Sequence, residues 1–250
     1  MATLTWRAFP VFALTVRQAT GGKAVRIVAA LAFIPALFAA IYLINPDVDE
    51  PRSFVVGTIF RGLVAPTLLP ITVLILATGA FGNELEDNTL PYLILKPISR
   101  LRIVVEKFLG VVAVAGPLIL LGLTATYALA YRGDAMDNLR VLGSMLAAAA
   151  VGVVAYAALF LLVSLLISRA LLAGIIYSLI WESLLGRFLP GLRMISVRHF
   201  VESVLVRLLN DPDYTLSSAI TVRSSLITLG LVTVISLLLA TWRLRRMNLD

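Results

Sequence analysis

The chain contains no cysteine, only one histidine (His199) and few charged residues, which make up 14% of its 250 positions. Without cysteine there is no disulfide, no thiol nucleophile and no cysteine–zinc site, and a single histidine excludes a histidine-rich metal site. A soluble domain carries charge on about a quarter of its residues, so this composition is that of a membrane protein without a soluble catalytic domain. The sequence therefore predicts no catalytic residue, no metal and no bound cofactor in this chain.

Long apolar runs account for most of the chain, of which 60% is hydrophobic. Crossing the hydrocarbon core takes about 20 apolar residues, and a helix satisfies all backbone polar groups within one segment. We therefore predict an all-α polytopic membrane protein with a single transmembrane domain over residues 1–250. The first run is longer than the core of a cleavable signal and is followed by others, which favours a retained span. The six predicted spans are residues 27–44, 62–81, 108–131, 141–167, 171–185 and 225–242.

Lysine and arginine are distributed unequally between the two sides of these spans. One side would hold 12 of them, against 3 in the short loops of the other side, and the long loop between spans five and six raises the second count to 8. Basic residues are retained on the cytoplasmic side, so this predicts a multi-pass protein of the cell membrane with both termini cytoplasmic. Because the basic clusters flank apolar runs, they indicate topology signals and not a nucleic-acid-binding surface.

Two further helices are predicted outside the spans. The segment Leu4–Val16 is aromatic and apolar yet too short to cross the membrane, which favours an interfacial elbow helix beginning near Pro10. In the loop between spans five and six, residues 195–209 place apolar side chains at helical spacing and charged ones on the other side. This predicts an amphipathic helix with an Arg198–Glu202 pair, lying at the outer interface or against the bundle.

A polar stretch, NELEDNTLPYLILKPISRLRIVVEKFLG, separates spans two and three at residues 83–110. Acidic residues near its beginning indicate a helix start, where the helix dipole favours negative charge. Lys96-Pro97 then indicates a break, and Ser99 is a candidate N-cap for the helix that enters span three. A rigid transverse helix of this kind can transmit a push from a partner. The acidic residues are Glu84, Glu86 and Asp87.

The same stretch resembles the loop between spans two and three of the ABC-type-2 permease family, the membrane subunits of many ATP-driven exporters. In that family an acidic pair precedes Gly-Thr-Leu, an apolar stretch, Pro-x-Ser-Arg, and a Lys before Leu-Gly. Asn88 replaces the usual glycine, a mild departure because asparagine also tolerates tight turns. The detailed match covers 28 residues, and the six-span layout extends the resemblance over the chain. The matching residues are Glu84 and Glu86, Thr89 and Leu90, Pro97, Ser99 and Arg100, and Lys107 with Leu109 and Gly110.

The resemblance implies that this loop is a coupling helix, which docks on a separate ATPase. This chain has no ATPase motif of its own: in the string Gly22-Lys23, Arg17 stands where the first P-loop glycine belongs and Ala24 replaces Ser/Thr. The family's organisation thus implies two copies of a partner ATPase, which would bind ATP and Mg²⁺. It also implies that the chain pairs with a second permease and favours a homodimer over a heterodimer. The implied coupling residues are Glu84, Glu86, Asp87, Thr89, Leu90, Pro97, Ser99 and Arg100.

Arg61 and Glu182 are ionisable residues at or inside predicted spans, where charge is costly and indicates a function by default. Both fall toward the outer ends of spans two and five, so we predict an outer-gate pair between them. Two independent snorkelling side chains are the alternative. Pro66 and Pro70 predict a bend in span two, which either shapes a pathway or accommodates neighbouring helices.

The predicted function is that of a permease subunit of an ABC transporter, which forms the path for export driven by the partner ATPase. One alternative is a membrane anchor or signalling subunit coupled to an ATPase without moving substrate. Another is an ion-driven secondary transporter, which would want acidic residues at mid-membrane and repeated halves. Glu182 is the one acidic residue in a predicted span, where it lies near one end, and the sequence shows no internal repeat. The charged loop itself could be a solvated connector that only fixes topology.

Overall fold

The computed structural model describes residues 9–44, 50–86, 98–167, 169–178, 196–214, 216 and 220–247 of the chain. These residues form helices joined by turns, with no β-strand among them, so the predicted all-α class is confirmed. The helices are α1 Pro10–Gly21, α2 Lys23–Tyr42, α3 Ser53–Leu68, α4 Leu69–Glu86, α5 Arg100–Tyr131, α6 Leu139–Leu166, α7 Ala170–Ile176, α8 Val197–Leu209 and α9 Val222–Arg246.

Five stretches of the described chain are long and apolar enough to cross a membrane, as expected of a multi-pass membrane protein. They correspond to predicted spans one, two, three, four and six. Of predicted span five, the structure describes α7 and the residues up to Ser178, and the remainder lies outside the described residues. The five stretches are Lys23–Tyr42, Ser53–Gly82, Arg100–Asp134, Leu139–Leu166 and Val222–Arg246.

The second span begins earlier than the prediction, which started it at Gly62. Its helix begins at Ser53, so Arg61 lies inside the helix and not ahead of it. Arg61 Nε is 3.8 Å from Glu202 Oε2, and this carboxylate offsets the cost of placing an arginine in an apolar helix. In the sequence, an isolated charge indicates the end of an apolar run, because the pattern contains no information about a partner on another helix.

Helix α6 is the centre of the bundle and packs along α4, α5, α8 and α9. In the most apolar part of each span, the buried share is 72% for the second span and 61% for α6, against 28% for α2 and 33% for α9. Helices α2 and α9 are therefore peripheral, and α2 packs mainly on α5. Their outward faces carry large apolar side chains, including Leu37 and Leu238, which suit contact with lipid or with another membrane protein.

The first four described spans alternate in direction, which gives the bundle two ends. We call the end where α4 finishes and α5 begins the loop end, and the opposite end the far end. At the far end, Arg132 Nη2 donates to the carbonyl of Leu43 at 3.3 Å. At the loop end, Arg243 Nε donates to the carbonyl of Leu165, also at 3.3 Å.

At Gly122, helix α5 touches the backbone of α2. A side-chain carbon at this position would overlap the carbonyl group of Ala32, so the close approach of the two helices requires glycine. Gly116, earlier in the same helix, has open space at the equivalent position. Small residues that let backbones approach closely are a main source of helix association in membranes.

We expect Gly122→Ala to destabilise the protein by about 2 kcal/mol, because the added methyl group pushes α5 away from α2. Gly116→Ala is the matched control: it makes the same change in the same helix, has room, and gains about 0.5–1 kcal/mol of helix propensity. Thermal unfolding of the two variants in detergent measures the difference. A lower midpoint for Gly116→Ala than for Gly122→Ala would contradict the described contact.

Candidate functional site

Two neighbouring residues of α5, Glu106 and Lys107, are charged yet buried at the loop end, with 1% and 0% of their surfaces exposed. Buried charges persist only where they are paired and hydrogen-bonded. Each of these two side chains reaches a different neighbouring helix. With Glu84 and Arg102 they form a group that we call the loop-end cluster.

Lys107 connects α5 to the last turns of α4. Its Nζ lies 2.7 Å from Oε1 of Glu84 and also donates to the carbonyl oxygen of Ala80. The ammonium group is 4.7 Å from the centre of the Phe81 ring, within the range of a cation–π interaction. Lys107 therefore neutralises a carboxylate and satisfies a carbonyl at the C-terminal end of α4, where the helix dipole favours a cation.

Glu106 connects α5 to the N-terminus of α1. Pro10, the first residue of α1, has no N–H, and the N-cap residue makes no side-chain capping bond. The next two N–H groups, of Val11 and Phe12, donate to Oε2 of Glu106 at 2.8 and 3.0 Å. Its Oε1 accepts from Nε of Arg102 at 2.6 Å. A carboxylate from a distant helix thus provides the cap that a residue next to the helix usually supplies.

The same two helices also meet at Gly110, a residue of the motif in the loop between spans two and three. A side-chain carbon there would lie 2.8 Å from Cβ of Thr15 in α1. A helix begins at Pro10, as predicted, and packs against α5, but it continues to Gly21, beyond the predicted end at Val16. Residues 4–8 of the predicted elbow lie outside the described residues. Its position at a membrane interface stays a prediction.

The predicted coupling residues fall in two groups. Ser99 is the N-cap of α5, and its Oγ accepts from the N–H of Arg102 at 3.4 Å, which confirms the predicted cap. Arg100 is the first residue of that helix. Asp87, Thr89, Leu90 and Pro97 lie outside the described residues.

The prediction that Glu84 and Glu86 begin a helix is wrong, because both lie in the last turn of α4. The dipole argument assigns acidic residues to helix starts. Here Lys107 reaches Glu84 from α5 and removes the penalty of a negative charge at a helix end. The side chain of Glu84, 8% exposed, therefore faces the bundle.

A second charge group, the far-end cluster, joins α3 to α8 and consists of the buried Glu202 and the partly buried Arg61 and Arg198. Glu202 Oε1 lies 2.5 Å from Nε of Arg198, which confirms the predicted pair, and Oε2 lies 3.8 Å from Nε of Arg61. Nη2 of Arg198 donates to the carbonyl of Arg61 at 3.3 Å. The predicted partner of Arg61, Glu182, lies outside the described residues, so that pair stays a prediction.

The predicted amphipathic helix is present as α8 and packs on α6, α9 and α3. Part of its polar side is buried as well, at His199, Glu202 and Ser203, whereas Arg207 is exposed. Burial is tolerated because Ser203 Oγ donates to the carbonyl of His199 at 2.8 Å and Glu202 is paired. Helix α8 therefore leans on the bundle, the second of the two predicted placements.

Pro66 and Pro70 lie on either side of a change in helix type. Pro66 is in α3, which is wound as a π-helix, and Pro70 is in the first turn of α4. Between them, the N–H of Leu69 donates to the carbonyl of Val64, five residues back. Because proline lacks an N–H and crowds the preceding turn, a locally wider helix accommodates it. The bend predicted from these prolines stays a prediction.

We expect Glu202→Ala to destabilise the protein by about 2 kcal/mol, because it leaves two partly buried arginines without their carboxylate. Combined with Arg61→Ala, it should cost about 1 kcal/mol less than the sum of the single effects, since the two residues interact. The measurement is thermal unfolding of both single variants and the double variant. The control combines Glu202→Ala with Arg223→Ala, which changes an exposed arginine of α9, and the two losses of stability should add. Additivity of both pairs would refute the Arg61–Glu202 interaction.

Sequence reasoning missed Glu106 and identified Lys107 only through the family motif. The available signal was the position of the Glu-Lys pair within the apolar run from Ile103 to Leu109. A charge that helical periodicity directs toward the bundle needs a partner on another helix, although the pattern does not say which. Within the described part of the chain, no three histidine, aspartate or glutamate side chains gather in a way that could hold a metal ion.

Comparison with known proteins gives one finding. Residues 22–186 match a protein family described as "ABC-2 family transporter protein". The matched region runs from the start of α2 through α7 and contains the whole loop-end cluster. No curated protein matches the chain at a significant level.

Proposed function

This chain belongs to the ABC-2 transporter family, and we propose that it is the membrane-spanning permease subunit of an ATP-driven exporter. Membrane subunits of this family typically work with ATPase subunits. In the proposed assembly the chain forms a dimer with a second permease, for which we favour a second copy of this chain. This dimer binds two copies of a separate ATPase. ATP and Mg²⁺ would bind to that ATPase, and this chain would contribute the substrate path and no catalytic site.

The observation that carries the proposal is the loop-end cluster. Helix α4 leads into the loop that resembles a coupling helix, and α5 leads out of it. Lys107 joins these two helices through Glu84, and its neighbour Glu106 joins α1 to the same point of α5. A force applied to the loop would therefore act on α1, α4 and α5 together. Such rigid connection is what a transporter needs if closure of a partner ATPase is to move its spans.

The ends of the described helices support six crossings. Helix α6 ends at the loop end, beside Arg243, whereas α8 lies at the far end, where Arg140 Nε donates to the carbonyl of Leu208 at 3.0 Å. In our proposal the predicted span 171–185 joins these two ends and is the sixth crossing. In this arrangement both chain termini are at the loop end. That end carries the larger number of basic residues, and in our proposal it is cytoplasmic.

The topology is tested by accessibility tags on the intact chain. We expect tags at both termini and at Asn88 to be cytoplasmic, and tags near Asp49, Asp134 and Asp211 to be outside. Termini on opposite sides of the membrane would refute the six-span architecture.

The coupling role is tested by reversing charges where α4 enters the loop, without changing the buried pair of Glu84 and Lys107. The double variant Glu86→Lys with Asp87→Lys should insert into the membrane normally. Its affinity for the ATPase that co-purifies with the unmodified chain, and its stimulation of that ATPase, should each fall at least about tenfold. A factor of ten corresponds to about 1.4 kcal/mol. Glu84 stays intact, because its reversal would break the pair with Lys107 and confuse coupling with folding. The matched control reverses Asp134 and Asp137, two exposed acids at the far end, and should have no effect.

Two other results would contradict the proposal. Unchanged ATPase association and turnover in the Glu86/Asp87 variant would make the loop a plain connector. Normal ATPase assembly and turnover in reconstituted vesicles without flux of any tested amphiphile or solute would favour a non-transporting membrane subunit.

A further inference from the structure

A cavity of about 970 Å³ opens at the loop end between α4, α6, α7 and α9. Two arginines line it: Arg243, in the last turn of α9, and Arg169, directly before α7. No aspartate or glutamate belongs to the described lining. Arg243 also holds the end of α6, since its Nε donates to the carbonyl of Leu165. The cavity is therefore a cationic site whose lining offers no internal counter-charge.

The remaining walls are apolar, and their polar groups are already engaged. Ile75, Leu171 and Leu172 supply aliphatic surface. The hydroxyl groups of Thr78 and Ser164 each donate to a carbonyl of their own helix, at 2.7 Å. The hydrogen-bond donors left for a ligand are thus the guanidinium groups, because Arg243 uses only one of its N–H groups on Leu165. Planar guanidinium groups favour phosphate and carboxylate oxygens, which they bind through paired N–H donors.

Several apolar residues of the cavity lining are exposed at the surface. Leu166, Leu171 and Leu172 are 53%, 43% and 54% exposed, and Arg169 lies exposed among them. This arrangement lies where α6 and α9 end, which in a membrane would be at the depth of lipid headgroups. A free anion would use the arginines but not the aliphatic walls, whereas an amphiphile with an anionic head would use both.

We propose that this cavity binds one anionic phospholipid of the leaflet at the loop end. Its phosphate would lie between Arg169 and Arg243, and its acyl chains would leave past Leu171 and Leu172. Basic pockets between spanning helices on the cytoplasmic side are suited to anionic headgroups. The carbonyl ends of α6 and α9 add partial negative charge here, but Arg243 already covers the Leu165 carbonyl, and two full cationic charges remain. The proposal rests on the cavity and its charges and does not require the ATPase partner or export.

The test is lipid binding to the purified, delipidated chain in detergent, followed by native mass spectrometry and thermal unfolding. Phosphatidylglycerol should bind at one saturable site and raise the unfolding midpoint, whereas phosphatidylcholine should do so at least about tenfold more weakly. Arg169→Gln with Arg243→Gln should weaken phosphatidylglycerol binding by about tenfold or more. The matched control, Arg245→Gln with Arg246→Gln, removes the same number of charges from the end of α9, outside the cavity lining, and should leave binding unchanged.

Three results would overturn the proposal. Equal loss of binding in the Arg245/Arg246 variant would mean general attraction to a basic surface. Equal binding of phosphatidylcholine would mean an apolar groove without headgroup recognition. Inorganic phosphate or glycerol 3-phosphate competing at the same concentration as the lipid would mean a free-anion site. If Arg243→Gln impairs folding, Arg169→Gln alone decides, because Arg169 is exposed and its loss leaves the Leu165 contact in place.

Discussion

Replacing Glu106 with alanine is expected to detach α1 from α5 and to destabilise the protein by about 3 kcal/mol. The carboxylate accepts two backbone N–H bonds of α1 and one bond from Arg102, and a hydrogen bond to a charged group contributes about 1.5–3 kcal/mol. Removal also leaves the first N–H groups of α1 without an acceptor in a buried position. Thermal unfolding in detergent, together with limited proteolysis near Gly21 and Gly22, measures both consequences.

Two control variants separate the cap from loss of charge alone. Glu106→Gln keeps an acceptor oxygen but not the negative charge, so it should fall between the wild type and Glu106→Ala. Glu50→Ala removes the same side chain type from an exposed position before α3 and should change the midpoint little. If Glu106→Ala unfolds at the same temperature as Glu50→Ala, the capping role is refuted.

Lys107→Met and Glu84→Met should each destabilise the protein by about 3–5 kcal/mol, because each leaves the other charge buried without its counter-ion. Lys107 is fully buried and the side chain of Glu84 is 8% exposed, so neither charge can turn to solvent without moving α4 or α5. The double variant should be more stable than either single variant, because it replaces the whole pair with apolar chains of similar volume. Thermal unfolding of the three variants measures the interaction.

The double variant also separates stability from coupling. In our proposal it recovers thermal stability but not ATPase-driven transport, because apolar packing does not fix α4 to α5 as an ion pair with a hydrogen bond to Ala80 does. Destabilisation equal to the sum of the two single effects would refute the pair. Full recovery of transport would mean that the pair serves only the fold.

The prediction for the acidic start of the loop shows where local reasoning ends. Glu84 and Glu86 follow an apolar run, and dipole preferences alone assign them to the next helix. In the structure α4 continues through both residues, because Lys107 compensates Glu84 from 23 positions further along the chain. Local preferences of a few tenths of a kcal/mol are readily overridden by a buried ion pair with hydrogen bonds.

What the sequence by itself determined is local or compositional. The apolar runs specify spanning helices, because a buried backbone in lipid has to satisfy its hydrogen bonds within the segment. Ser99 caps α5 from the position directly before the helix, and Pro10 begins α1 because proline is suited to a first helical turn. Residues four apart share a helix face, and the Arg198–Glu202 pair follows from that spacing alone.

Only the tertiary structure decided which helices exchange charges. Glu106 accepts from N–H groups of a helix that lie 95 and 94 residues away, and Arg61 meets Glu202 on α8 and not a residue of its own helix. Periodicity tells which face of a helix is apolar, but not how far each helix is rotated or which neighbour it meets. Those choices depend on close contacts such as Gly122 against Ala32, which set helix positions through packing between segments distant in sequence.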